Sequence, residues 1–149
     1  MLNVLVVEDD PTTQLLCHEM LKELGHVSFV SPNGAHAWMA LATNANSFDV
    51  VLTDYMMPEM DGSELIRKIR ENKDFISTTI IIMSAVISTK EISHLLKTGA
   101  TFFLPKPFSM DQLKEYLEYS AGRLGRVSSL RSACGTHPGA FPTRRWSGG

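Results

Sequence analysis

Glu8, Asp9 and Asp54 are carboxylates that each follow a short apolar run; Ser84 ends another such run, and Lys106 follows the last. Carboxylates gathered without a thiol or imidazole suit a hard cation such as Mg²⁺, which needs few protein ligands and keeps several waters. Beside such a cation, Asp54 can act as a nucleophile toward phosphorus and form an acyl phosphate. The Lys106 ammonium can bind the phosphoryl oxygens, and the Ser84 hydroxyl can donate one more hydrogen bond. Phosphoryl transfer asks mainly for positioning and charge stabilisation, which this set supplies. Asp10, the third acid of the run, reads instead as a helix cap.

These residues act together only if the fold gathers them. Five apolar runs, Leu2–Val7, Val27–Val30, Val50–Thr53, Thr79–Met83 and Thr101–Leu104, have the length and composition of strands in a parallel sheet covered on both faces. Helix signals separate them. Asp10-Pro11 opens the first helix, in which Leu16, Met20 and Leu24 recur every fourth residue as the inward row and Gly25 is the stop. Asn33 caps a second helix containing Trp38 and Leu41. Asp61 with Glu64 opens a third with Leu65 and Ile69 inward. Ser88 with Glu91, and Ser109 with Gln112, are capping-box patterns for the fourth and fifth, and Gly99 stops the fourth. Strand and helix alternating five times predict a doubly wound α/β fold, (βα)₅, with its ligand site at the carboxyl ends of the strands.

Placed in that order, Leu5-Val6-Val7-Glu8-Asp9-Asp10, Asp54-Tyr55-Met56-Met57-Pro58-Glu59-Met60-Asp61-Gly62, Ser84-Ala85 and Lys106-Pro107-Phe108 resemble the signatures of the response-regulator receiver domain, a flavodoxin-like signalling domain. The resemblance covers residues 1–121. It implies that Asp54 accepts a phosphoryl group from a histidine kinase or phosphotransfer protein. It also implies that Glu8, Asp9, Asp54 and the backbone carbonyl of Met56 hold Mg²⁺, Glu8 through water. Ser84 then matches the switch hydroxyl, Lys106 the phosphate-binding lysine, and Lys106-Pro107 a cis peptide bond. Phe103 stands at the aromatic switch position, often Tyr in the family, and reads equally as plain core. Met56 and Val86 sit where the family tunes water access to the acyl phosphate, and two apolar groups there imply slow autodephosphorylation.

The implied mechanism moves Ser84 toward the phosphoryl group and turns Phe103 inward. That remodels a face of the fourth helix, fifth strand and fifth helix bearing Ile92, Leu95, Leu96, Phe103, Tyr116 and Tyr119, read by a downstream protein or a second copy of the domain as a homodimer. A constitutive interaction module of the same fold, without a phosphorylation cycle, is the alternative reading. An aspartyl phosphatase of the haloacid dehalogenase type ranks below both, because Glu8 would replace its nucleophile.

Charge is unevenly spread. Residues 1–121 hold all 16 acids against nine of the 14 Lys and Arg, whereas residues 122–149 hold five arginines and no acid. The acidic body argues against nucleic-acid binding, and no helix-turn-helix pattern follows residue 121, so direct DNA binding is not expected. Residues 122–149 read as a basic, disordered tail. No apolar run is long enough to span a membrane, and no signal-peptide pattern opens the chain, so a cytoplasmic, non-membrane protein is expected. Cys17 reads as helix packing and Cys134 as a tail thiol, without a disulfide framework. His18, His26, His36, His94 and His137 share no metal-ligand spacing and read as surface or cap residues.

Overall fold

The computed structural model describes residues 1–43, 48–56, 60–85 and 88–127. Strands β1 (Asn3–Val7), β2 (Val27–Ser31), β3 (Val50–Asp54), β4 (Thr79–Ser84) and β5 (Phe102–Pro105) alternate with helices α1 (Pro11–Glu23), α2 (Gly34–Thr43), α3 (Gly62–Glu71), α4 (Thr89–Thr98) and α5 (Met110–Val127). A short 3₁₀ turn, Lys73–Phe75, precedes β4. The strands form one parallel sheet in the order β2-β1-β3-β4-β5. This is the doubly wound flavodoxin-like arrangement expected, and the order in which strands are added to the sheet reverses between β1 and β3.

Side chains alternate across each strand, so each strand feeds two cores. Leu5, Val7, Val51, Ile80, Ile82 and Phe103 face one side, where α2, α3 and α4 bring Leu41, Leu65, Ile66, Ile69 and Leu95. Val4, Val6, Leu52, Ile81, Met83 and Leu104 face the other, against Cys17 and Leu21 of α1 and Leu113 and Leu117 of α5. Burial of every residue in β3 and β4 explains their unbroken apolar runs. The β2 run departs from that expectation: as an edge strand it leaves Phe29 and Val30 exposed. The Phe29 ring still meets Phe48 edge-on, with ring centroids 5.3 Å apart.

The helix caps form as read. Asp10, Asp61 and Ser88 accept backbone N–H bonds from Thr13, Glu64 and Glu91, and Asn33 accepts from His36. Gly25 and Gly99 follow α1 and α4 with φ of 86° and 139°, backbone that side-chain-bearing residues avoid. In α1 the buried row is Cys17 and Leu21, one position from the expected row. Leu16 is exposed, while Met20 and Leu24 only flank the core. Apolar residues at 15, 16, 17, 20, 21 and 24 cover more than half the helix circumference, so periodicity alone did not fix the row. Cys17 is packing, as expected, and its burial pushes the thiol up to about 12.

Helix α5 runs to Val127, so the expected domain end at 121 falls inside it. The rest of the expected tail, with Cys134 and His137, lies outside the described residues, as do Met57-Pro58-Glu59 and Val86. His26 is not a plain surface residue: its Nδ1 accepts the Leu2 N–H at 3.1 Å, tying the chain start to the α1–β2 turn. No helix among the described residues is long and apolar enough to cross a membrane.

Candidate functional site

The carboxyl ends of β1 and β3 are neighbours in the sheet, so Glu8 and Asp9, which follow β1, come up beside Asp54, the last residue of β3. Glu8 stays in register with the sheet, its N–H donating to the Ser31 carbonyl at 3.0 Å. Its own carbonyl accepts from Gln14 Nε2 at 2.6 Å, which holds the β1–α1 connection against the first turns of α1. Behind Asp54, α3 begins so close that a Cβ on Gly62 would lie 2.8 Å from the Asp54 carbonyl oxygen and 3.0 Å from Tyr55 Cα. The Gly62 N–H uses that approach to donate to the Tyr55 carbonyl at 2.9 Å.

Carboxylate oxygens of Glu8, Asp9 and Asp54 lie within 4.8 Å of one another. Lys106 reaches them from the far edge of the sheet, past the end of β4: its Nζ is 3.3 Å from Glu8 Oε1 and 3.4 Å from Asp54 Oδ1. The Lys106-Pro107 bond is cis, and the Lys106 N–H donates to the Ser84 carbonyl at 2.9 Å. Asp54 Oδ1 also accepts the backbone N–H of Tyr55 at 2.9 Å.

Glu8 is 2 % exposed, and this burial is the main force pushing its pKa up to about 7. The charge of Asp54 and a hydrogen bond with it push the same way, while Lys106 pulls it down. At Lys106 burial works against the charged form, but the charges of Asp54 and Glu8 outweigh it and the pKa is raised. One ammonium thus incompletely balances the carboxylates packed around it. An all-oxygen donor set with residual repulsion fits a hard divalent cation.

The geometry gathers Glu8, Asp9, Asp54 and Lys106 directly. Ser84 is buried at the end of β4, paired in register with Pro105. The Met56 side chain, two residues past Asp54, is 69 % exposed. Phe103 is 7 % exposed in the core beside Leu95, with its carbonyl accepting the Tyr116 hydroxyl at 3.3 Å. The expected inward turn therefore has no outward starting point in this conformer. Phe103 and Leu95 also do not belong to the accessible face; Ile92, Leu96, Tyr116 and Tyr119 are its partly exposed members.

Two contributions went unread in the sequence. Tyr55 bonds Asp54 through its backbone and also reaches Glu91 Oε2 with its hydroxyl at 3.2 Å; adjacency to Asp54 was the available signal. Gln14 carried no signal, because its role depends on how α1 leaves β1.

Comparison with known proteins identifies the family. Residues 4–118 match the family model described as the response regulator receiver domain. The chain is 34% identical to the chemotaxis protein CheY1 of Helicobacter pylori over 122 residues, 81% of this chain and 98% of that protein. Among solved structures it resembles the receiver domain of Francisella response regulator 1452, with 33% identity and TM-score 0.74, covering 83% of this chain and 99% of that one. It also resembles the receiver domain of the sensor histidine kinase PA1611 from Pseudomonas aeruginosa, a structure with a magnesium ion in its active-site cleft. Identity there is 27% and TM-score 0.71, over 81% of this chain and 98% of that one. With the family model spanning most of its length, and the acidic cluster and lysine gathered at the sheet end, this chain belongs to the response-regulator receiver domains, the domains of phosphorylation-based signalling.

Proposed function

We propose that the chain is a switch that accepts a phosphoryl group on Asp54 from the phosphohistidine of a histidine kinase or phosphotransfer protein. An Asp54 carboxylate oxygen forms a bond to phosphorus as the phosphorus–nitrogen bond breaks and the imidazole leaves with the electron pair. Lys106 binds the phosphoryl oxygens, and the Ser84 hydroxyl donates to them once the group is in place. Asp9, Asp54 and the Met56 carbonyl, with Glu8 through water, would hold Mg²⁺, which would supply positive charge to offset the repulsion between an anionic phosphoryl donor and the carboxylates. The magnesium in the cleft of the PA1611 receiver domain supports that assignment. Hydrolysis of the acyl phosphate resets the switch.

The observation that carries this reading is the position of Lys106 Nζ, 3.4 Å from Asp54 Oδ1 at the edge of the three-carboxylate cluster. A lysine drawn across the sheet end to a nearly buried aspartate is hard to explain by stability alone, since burying an ion pair is seldom a net gain.

The output is a change in the α4–β5–α5 face, whose accessible side chains are Ile92, Leu96, Tyr116 and Tyr119, read by a downstream protein or a second copy of the domain. The protein works in the cytoplasm, away from membrane and DNA.

Intact-mass measurement after incubation with acetyl phosphate tests the reading, with and without Mg²⁺, on wild type and Asp54→Asn. The expected result is one phosphoryl adduct that requires Mg²⁺ and is absent from Asp54→Asn. A folded, Mg²⁺-binding protein that takes no adduct would overturn it and leave a constitutive interaction module.

A further inference from the structure

Helix α4 is held very differently at its two ends. At its carboxyl end Arg70 Nε donates to the Gly99 carbonyl at 2.9 Å. The same guanidinium donates to the Phe75 and Thr78 carbonyls at 2.8 and 2.7 Å. Gly99 is packed so closely on the Arg70 stem that a Cβ there would lie 2.3 Å from Arg70 Cγ. This end is tied to α3 and to the start of β4. Along its length α4 buries only Leu95.

The amino end carries a lighter contact. Glu91 is the third residue of α4, and its carboxylate is divided. Oε1 accepts from the Ser88 N–H and hydroxyl at 3.3 and 3.1 Å, closing the capping box. Oε2 accepts the Tyr55 hydroxyl at 3.2 Å, from a residue 36 positions earlier. Tyr55 cannot follow α4 freely. Its backbone N–H is shared between Asp54 Oδ1 at 2.9 Å and the Met83 carbonyl at 3.0 Å, and its ring packs on the core. One tyrosine thus joins the phosphoryl-accepting carboxylate to the first turn of α4.

We propose that the Tyr55–Glu91 contact is a latch that holds the amino end of α4 in its unphosphorylated position, with Arg70 and Gly99 as the fixed end about which that helix moves. This rests on Asp54 being the phosphoryl acceptor. Ser84 lies only four residues before Ser88, so drawing Ser84 toward a phosphoryl group displaces the chain that enters α4. The latch opposes that displacement, because its other half is anchored at Asp54. A solvent-exposed hydrogen bond is modest, which suits an element that must open in use. Tyr55 is then a positioning residue: it sets how readily the protein reaches the conformer that accepts and keeps the phosphoryl group.

The test is a double-mutant cycle on the full chain with Tyr55→Phe and Glu91→Gln. Phe keeps the ring in the core, and Gln keeps helix propensity and length. The rate of adduct formation from acetyl phosphate with Mg²⁺ is expected to rise about two- to tenfold in Tyr55→Phe. The double variant should gain less than the product of the single effects. Hydrogen exchange supplies a readout that mere structural loosening would not reproduce. The Glu91 and Ile92 amides should exchange faster in unphosphorylated Tyr55→Phe and in phosphorylated wild type alike, with the Gly99 amide unchanged in both. A wild type that forms an adduct, beside a Tyr55→Phe variant with unaltered rate and exchange or a slower rate, overturns the latch alone. A wild type that forms no adduct overturns both the latch and the reading of Asp54.

Discussion

At the carboxyl end of the sheet, Lys106 faces Glu8 and Asp54 with Asp9 close by, and one cation must serve more negative charge than it balances. At the amino end, the Arg70 guanidinium donates to the carbonyls of Gly99, Phe75 and Thr78 and approaches Thr101 Oγ1, with each of those acceptors supplied by a chain turn that needs closing. Both are long cations reaching across strand ends. One leaves like charges crowded together, and Glu8 is forced toward its neutral form. The other donates to three backbone carbonyls. The difference separates a site kept ready for an incoming ligand from a clasp that fixes the frame.

Replacing each cation with methionine, which keeps much of the side-chain stem, should break this comparison in opposite ways. Lys106→Met should slow adduct formation from acetyl phosphate about 100-fold, the scale of losing one stabilising donor at a developing charge. Its fold should persist. An unchanged rate would remove Lys106 from the phosphoryl site. Arg70→Met should lower unfolding stability by about 2–4 kcal/mol in urea titration, because it takes the guanidinium donor from the Gly99 and Thr78 carbonyls at the base of the sheet and one of two donors from Phe75. The folded fraction should still take the adduct on Asp54. Loss of the adduct with stability intact would reverse the roles assigned to the two ends.

Glu8 sharpens the contrast through pH. An acid whose pKa is raised on folding, here from 4.5 to about 7, makes the fold prefer the protonated form. Its contribution to stability is present below pH 4.5 and is lost as pH rises through about 7. In metal-free protein the urea midpoint should therefore carry a downward component between these values. Glu8→Gln should remove that component and, near pH 8, raise metal-free stability by about 1 kcal/mol. The same change should weaken Mg²⁺ binding. A Glu8→Gln profile parallel to wild type would show that the carboxylate is not strained.

Much of this is legible in the sequence. The five strands, the caps at Asp10, Asn33, Asp61 and Ser88, and the convergence of Glu8, Asp9, Asp54 and Lys106 all follow from patterns local in the chain, placed by a sheet that aligns strand ends. What was not legible depends on distance or on degeneracy. The inward row of α1 was ambiguous because too many apolar residues compete for it. Glu91 was readable as a capping residue, but nothing local says that its second oxygen meets Tyr55. Arg70 carries no motif at all; its acceptors come from the 3₁₀ turn, the start of β4 and the α4–β5 turn, which only tertiary structure brings together. Phe103 was poised between core and switch, and its burial shows where a ring goes when α4 already covers it.

A comparably small effect is expected at the amino end, where the clasp has one flaw. Thr79 opens β4 and is 1 % exposed, and among the described residues its Oγ1 is the buried side-chain polar atom that finds no partner. Its backbone is satisfied, the N–H donating to the Asp49 carbonyl at 3.1 Å. Valine has the same β-branched shape and strand preference, so Thr79→Val changes little except the hydroxyl. Elsewhere such an exchange breaks a hydrogen bond and destabilises. Here it removes a desolvated group with nothing to bond, and the fold should gain about 1 kcal/mol, a rise of about 3–5 °C in Tm. A loss of stability instead would mean that the hydroxyl is solvated inside the fold by a bound water. The amino end would then be as completely satisfied as the Arg70 clasp implies, and unresolved polar strain would be confined to the carboxyl end, where the phosphoryl chemistry is.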